Sequence, residues 1–271
     1  MKWRLLETGF CGAAVNMATD EAILLSCIQG EAPPTLRFYG WRPAAVSVGY
    51  FQSMLKEVDV EACKRLGIDY IRRPTGGRAV LHDVELTYSV VVPERTSPLP
   101  EGLLGSYRVI SEAIQEGLRV LGVEATIVSS KSGNRARAGS AACFNISSRY
   151  ELAVGGRKIV GSAQLRRGKT ILQHGSIPLD LDANRLFTVL KVPVGEQRVC
   201  LIQQAQERMT GLRQLLGRTV TLAEFAQALK IGWERRFETE LVPGELSPQE
   251  KELSEKLARE KYSSRKWNFL R

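Results

Sequence analysis

Hydrophobic and polar positions change period several times along the chain, and each change marks an element. Over residues 16–29 (NMATDEAILLSCIQ), Ile23, Leu24 and Ile28 share one face at helical spacing, acidic residues fall early, and Gly30 stops the run. Cys27 on that helix reads as a small core residue. Residues 35–39 and 45–49 read as short strands joined through Gly40-Trp41-Arg42-Pro43, and 58–66 as a helix ended by Gly67. Strands are predicted over 68–72, 85–92 and 170–177, with Pro93 closing the second. Residues 97–105 are rich in Pro and Gly and read as loop, whereas Ile110, Ile114, Leu118 and Leu121 predict a helix over 107–121. The C-terminal third is helical, and Thr221-Leu222-Ala223-Glu224 and Ser247-Pro248-Gln249-Glu250 both fit capping boxes.

One stretch organises the rest. Residues 150–154 and 157–160 are apolar runs separated by Gly155-Gly156, a two-residue hairpin signal because both turn positions accept positive φ. That register sets Lys158 opposite Ala153 and Leu152 opposite Ile159. Lys158 then lies among Ala153, Val160 and Ser162, a setting that demands a partner or a ligand. Cys143 is ten residues before Ala153, roughly 33 Å away if extended. If it works with Lys158, residues 143–148 must fold back over the sheet. The polar run 129–140 reads as a mobile loop.

Strands dominate the middle and helices flank them without strict alternation. This predicts an α+β fold with a mixed, largely antiparallel β-sheet flanked by helices. A boundary near Pro243-Gly244 divides a domain over 1–243, with its core at about 30–241, from a helical tail over 244–271. The 271 residues are 44% hydrophobic and 25% charged, enough for a real core and unlike a disordered chain. No apolar run is long enough for a membrane span and the start lacks a signal-peptide core, so no membrane partner is expected. Five scattered cysteines without metal or redox spacing suit a reduced, cytoplasmic protein. Two histidines, His82 and His174, argue against a histidine-rich metal site. A net charge of +9 suits acidic partners, anionic surfaces or simple solubility. The absence of an RNP motif, a helix-turn-helix cue and an aromatic-interleaved basic stripe argues against nucleic acid.

Thr75-Gly76-Gly77-Arg78 follows a strand. Its glycines let backbone N–H groups approach a ligand and the arginine offers a planar donor fork, so the loop fits a cradle for a carbonyl or phosphate, or a tight corner between strands. Its spacing is neither that of a Walker loop nor that of a dinucleotide fingerprint. Cys143, preceded by Gly139-Ser140-Ala141-Ala142, fits a nucleophile with space around its sulfur or an inert buried thiol.

Arg72-Arg73-Pro74-Thr75-Gly76-Gly77-Arg78-Ala79-Val80-Leu81-His82-Asp83 resembles the signature of the lipoate–protein ligase, octanoyltransferase and biotin–protein ligase superfamily. Lys158-Ile159-Val160-Gly161-Ser162-Ala163-Gln164 resembles its second signature, and Gln173-His174-Gly175-Ser176-Ile177 the strand after it. Leu36-Arg37-Phe38-Tyr39, Gly49-Tyr50-Phe51-Gln52, Asn16-Met17-Ala18 and Asp20-Glu21-Ala22 also fit, and Lys261-Tyr262 with Trp267-Asn268 looks like the family's tail.

The resemblance implies the fold of the superfamily's catalytic domain and a site that needs neither cofactor nor metal. Ligases of the superfamily typically carry a third glycine where Arg78 stands, and a further C-terminal domain, whereas about 30 residues follow Leu241 here. Ala142-Cys143-Phe144 resembles the nucleophile segment of cysteine-dependent octanoyltransferases, and Arg78 with Glu85-Leu86-Thr87-Tyr88-Ser89 looks most like the group that uses octanoyl-acyl carrier protein. The implied reaction moves octanoyl from that carrier to a lysine of a lipoyl-domain protein, the glycine-cleavage H protein or a 2-oxoacid dehydrogenase E2. The alternatives are an amidotransferase between lipoyl domains and an ATP-dependent lipoate–protein ligase. The catalytic residues so implied are Cys143 and Lys158. The substrate-binding residues are Arg73, Thr75, Gly76, Gly77, Arg78 and His82, then Gly161, Ser162, Ala163, His174 and Gly175. Lys131, Arg135 and Arg137 are candidates for docking an acidic carrier.

Overall fold

A computed structural model describes residues 2–96, 99–128 and 151–271. In chain order the elements are β1 (Lys2–Cys11), α1 (Ala13–Gln29), β2 (Thr35–Trp41), β3 (Ala45–Val48), α2 (Met54–Glu57), α3 (Val60–Leu66), β4 (Asp69–Arg72), β5 (Val80–His82) and β6 (Glu85–Pro93). They continue with α4 (Leu103–Val120), β7 (Thr126–Val128), β8 (Glu151–Val154), β9 (Arg157–Arg167), β10 (Thr170–Pro178), α5 (Ala183–Val189), α6 (Glu196–Arg208), α7 (Leu212–Leu216) and α8 (Leu222–Phe237). The chain closes with β11 (Glu240–Pro243), α9 (Pro248–Leu257), a π-helical turn (Ala258–Tyr262) and α10 (Arg265–Asn268).

Among the described residues, eight strands form one sheet in the order β11-β1-β2-β6-β10-β9-β8-β7. Only β1 pairs in parallel, with β11 and β2; the other neighbours are antiparallel. A second sheet, β4-β3-β5, combines one parallel and one antiparallel pair. The fold is thus α+β with a mixed, largely antiparallel sheet flanked by helices.

Side-chain alternation explains the layers. Leu5, Val90, Val92, Ile171 and Ile177 join a core with Ile110, Ile114, Phe225 and Leu229 of α4 and α8. Their strand neighbours Leu6, Val91 and Leu172 point the other way and pack on Ile23, Leu24 and Cys27 of α1. Strands buried on both faces read as continuous apolar runs for this reason.

Several boundaries differ from the expectation. The first helix begins at Ala13, because the Gly12 carbonyl accepts the Asn16 N–H at 3.0 Å and so starts the ladder one turn earlier, while the Asn16 amide donates to the carbonyls of Cys11 and Gly40. The two strands near Trp41 lie in different sheets, and Gly40-Trp41 belongs to β2. The helix expected over 58–66 starts at Val60, where Asp59 accepts the Ala62 N–H as a cap. Helix α4 begins at Leu103, inside the run expected to be loop. At Ser247 both halves of the capping box form, whereas at Thr221 the Glu224 carboxylate pairs with Arg218.

The tail after Pro243 packs across α1. Arg4 grips Glu250 at 2.6 Å, while Lys261 and the Tyr262 hydroxyl converge on buried Glu21 at 2.6 and 2.7 Å. The buried guanidinium of Arg72 donates to the carbonyls of Gly49, Tyr50, Gln52, Trp267 and Asn268. The tail therefore braces the strand that delivers the glycine loop.

Candidate active site

The central hairpin turns at Gly155 and Gly156 with φ of +56° and +78°, as the Gly-Gly pair predicts. Lys158 sits opposite Ala153, but Leu152 faces Val160 rather than Ile159. A bulge accounts for this correction. Strict alternation would turn Ile159 and Val160 to opposite faces, yet both are buried in the same core cluster. The extra residue satisfies both and leaves Lys158 turned to a cavity. Its ammonium pairs there with the Glu151 carboxylate of β8, with side-chain exposures of 19% and 10%. The partner demanded by the sequence is thus Glu151.

Arg73 leaves β4 and holds the glycine loop from within. Its guanidinium donates to the carbonyls of Gly76 at 2.8 Å and Arg78 at 2.7 Å, and to the Ser47 hydroxyl at 3.0 Å. Gly77 has φ of +94°, and a Cβ there would stand 2.7 Å from the Arg73 guanidinium, so the loop needs glycine at that position.

Both histidines are anchored in the same way. His82 Nδ1 lies 2.7 Å from Glu85 Oε1 and its Nε2 lies 2.8 Å from Ser47 Oγ. His174 Nδ1 lies 3.1 Å from Asp20 Oδ2 and its Nε2 lies 2.7 Å from Thr75 Oγ1. A carboxylate on Nδ1 selects the tautomer in which Nε2 accepts from the hydroxyl. Burial pushes the His174 pKa below its ordinary value, against Asp20. Burial would raise Asp20, but Arg37 at 2.7 Å and His174 together hold its carboxyl below the usual range. Glu85 is likewise held low against burial, by His82, Ser176 and Thr87.

These residues enclose a cavity of about 260 Å³. Arg73, Gly77, Arg78, His82, Lys158, Gly161, Ser162, Ala163, His174 and Gly175, all predicted from sequence, line it together. Thr75 stands behind the wall on His174, and Gly76 faces an adjoining hollow with Tyr107 and Ser162. Cys143, Lys131, Arg135 and Arg137 lie outside the described residues.

The sequence did not single out Met17, Tyr39, Trp41, Thr87 and Glu151, which also line the cavity. The signal for Met17, Tyr39 and Thr87 was present, since Asn16-Met17-Ala18, Leu36-Arg37-Phe38-Tyr39 and Glu85-Leu86-Thr87-Tyr88-Ser89 are segments that carry the resemblance. Trp41 stacks on His82 at 4.1 Å between centroids and donates to Thr87 Oγ1 at 2.8 Å. Polar atoms in the wall thus bond largely to one another: Ser162 Oγ meets Tyr88 OH at 2.7 Å, and the Thr87 hydroxyl donates to Glu85 at 2.6 Å. What remains for an occupant is mostly the carbon of Met17, Tyr39, Trp41, Val80 and Ala163, with the Lys158–Glu151 ion pair among it. Such a space suits an apolar chain with one polar end.

The lipoyl protein ligase A/B catalytic domain family matches residues 12–233. Octanoyltransferase LipM of Geobacillus kaustophilus is 46% identical over 273 residues, covering 99% of this chain and 98% of that protein. Octanoyltransferase LipM of Kyrpidia tusciae is 48% identical over 270 residues, covering 98% of both chains. Among solved structures, the bipartite lipoate protein ligase of Thermoplasma acidophilum superposes with a TM-score of 0.83 at 29% identity, covering 99% of this chain and 96% of that one. A lipoate-protein ligase A bound with ATP gives 0.80 at 29% identity, covering 99% of both. With a family match across most of its length and full-length likeness to octanoyltransferases, the chain belongs to the lipoyl protein ligase A/B catalytic domain family and is an octanoyltransferase.

Proposed function

We propose that the chain transfers octanoyl from octanoyl-acyl carrier protein to a lysine of a lipoyl-domain protein, the glycine-cleavage H protein or a 2-oxoacid dehydrogenase E2, through a thioester on Cys143. The observation that carries this reading is the largely carbon-lined cavity with Lys158 in its wall. An octanoyl tail fills such a space at about 0.8 kcal/mol per buried CH₂.

The Cys143 thiolate attacks the donor carbonyl, a new C–S bond forms, and the bond to the carrier's sulfur breaks, so that this sulfur leaves as thiolate. The acceptor amine then attacks the acyl-enzyme, the amide C–N bond forms as the C–S bond breaks, and the proton lost by the amine passes to the Cys143 sulfur. A thioester is already activated, so the reaction needs no nucleotide. Lys158 favours the thiolate by its charge and polarises the carbonyl. The other cysteines suit this role poorly. Burial raises Cys27, and burial with Asp59 pushes Cys63 up to about 11. Cys11 and Cys200 do not line the cavity. A reducing cytoplasm keeps the thiol free.

The test is intact mass after incubation with octanoyl-carrier protein without ATP. The expected result is a gain of one octanoyl group, labile to hydroxylamine and absent in Cys143→Ser. Transfer that requires ATP and free octanoate would replace this reading with a ligase. Normal transfer by Cys143→Ser would remove the nucleophile.

A further inference from the structure

A second cavity, of about 280 Å³, adjoins the first. The two share Val80, Lys158, Gly161 and Ser176 in their walls. The segment from His82 to Glu85 runs between them: His82 lines the first, whereas Asp83, Val84 and Glu85 line the second. The second cavity differs in character. Val160, Leu186 and Met209 give it an apolar floor, and the carboxylates of Asp83, Asp180 and Asp182 join Glu85 in its walls. Against these four acids stand Lys158 and Arg185. Arg185 is shared, donating its side chain to Asp83 at 2.9 Å and its backbone N–H to Asp182 at 3.1 Å, while Asp180 pairs with Arg213 at 2.8 Å.

We propose that this second cavity receives the side chain of the acceptor lysine, with its methylene stem on Leu186, Met209 and Val160 and its ammonium at Asp83. The inference rests on the reading under Proposed function and adds where the acceptor enters. An octanoyl tail in the first cavity brings its carbonyl towards Lys158. An amine arriving through the second cavity reaches that carbonyl from the side away from the tail, because Lys158 and Gly161 belong to both walls. An amphipathic floor with acids around it matches a lysine, which pairs a four-carbon stem with a cation. The other candidate occupant is the donor's phosphopantetheine arm, whose thioester end is a neutral chain and brings no cation to meet these carboxylates.

The step balances without a further reactant. The ammonium gives a proton to the Asp83 carboxylate, and the free amine attacks the acyl carbon. The C–N bond forms as the C–S bond breaks, and the second proton lost by the amine passes to the departing Cys143 sulfur. Burial raises the Asp83 carboxyl, together with the charges of Glu85 and Asp182 and against that of Arg185, which suits a group that takes up a proton.

The test separates the half-reactions. Enzyme acylation by octanoyl-carrier protein is followed by intact mass without acceptor, and transfer to an apo lipoyl domain is then timed from the acylated enzyme. Asp83→Asn removes the charge and Met209→Trp fills the floor. Each is expected to slow transfer or raise the acceptor KM about ten-fold while acylation stays within about two-fold of the parent. Slower acylation with unchanged transfer would assign the cavity to the donor arm and overturn the proposal, as would two variants unchanged in both steps. A parent enzyme that is never acylated defeats the underlying reading instead, and the acylation arm alone reveals it.

Discussion

Asp20 is the most consequential buried charge near the site, and Asp20→Asn is the sharpest test of the network around it. The carboxylate is fully buried and accepts from Arg37 Nη1 at 2.7 Å through Oδ1, and from the Tyr39 hydroxyl at 3.0 Å through Oδ2. Oδ2 also meets His174 Nδ1 at 3.1 Å. Three donors converge on one anion. Asparagine keeps the shape but has a single acceptor oxygen. If that oxygen serves Arg37, the amide nitrogen faces Tyr39 and His174, and His174 must switch tautomer so that Nδ1 accepts. Its Nε2 then carries the proton and donates to Thr75, reversing the bond behind the glycine loop. The larger cost is electrostatic, because Arg37 is only 1% exposed and loses its counter-charge. Removing one partner of a buried pair costs about 3–5 kcal/mol. At about 2–4 °C per kcal/mol for a chain of this size, the melting temperature falls by about 6–20 °C. Urea unfolding followed by circular dichroism measures the loss, and ¹⁵N NMR of the histidines reads the tautomer. Asp20→Asn with Arg37→Met recovers part of the stability by removing the stranded cation. A loss below about 1 kcal/mol, typical of an exposed pair, refutes the reasoning.

Acid should weaken the fold through the same groups. The pKa values of Asp20 and Glu85 are depressed in the folded state, so their stabilisation is present above the unfolded carboxylate values and is lost as pH falls through the folded ones. The depressed His174 acts with the same sign just below pH 6.5, the window in which unfolding first becomes easier in a pH series of urea melts. Ala163→Leu intrudes into the first cavity and should shift preference from octanoyl to shorter donors, by about four-fold in kcat/KM per CH₂ displaced at about 0.8 kcal/mol each; an unchanged chain-length profile removes Ala163 from the tail's path. Asn268→Ala removes the acceptor for the Arg72 N–H at 2.9 Å and the donor to the Tyr262 carbonyl at 2.7 Å. A loss of about 1–3 kcal/mol is expected for the stranded buried groups, measurable by urea unfolding.

Local rules acting on the sequence determined the elements, the turn at Gly155-Gly156, the cap at Ser247 and the glycine loop, because each depends on residues within a few positions of one another. Ordered motifs also carried the family and most of the cavity wall. Tertiary structure alone decided what those residues face. The bulge at Leu152 exists because two consecutive apolar residues must enter one core, a demand that only the packed sheet makes. Glu151 became the partner of Lys158 through that hairpin. Asp20 reached His174 across 154 residues, and Asn268 reached Arg72 across 196, by way of helices laid on a sheet. Charges on an apolar helix face mark a buried network in the sequence, but which donors meet them is set by strand order and layer contact. No local pattern encodes that.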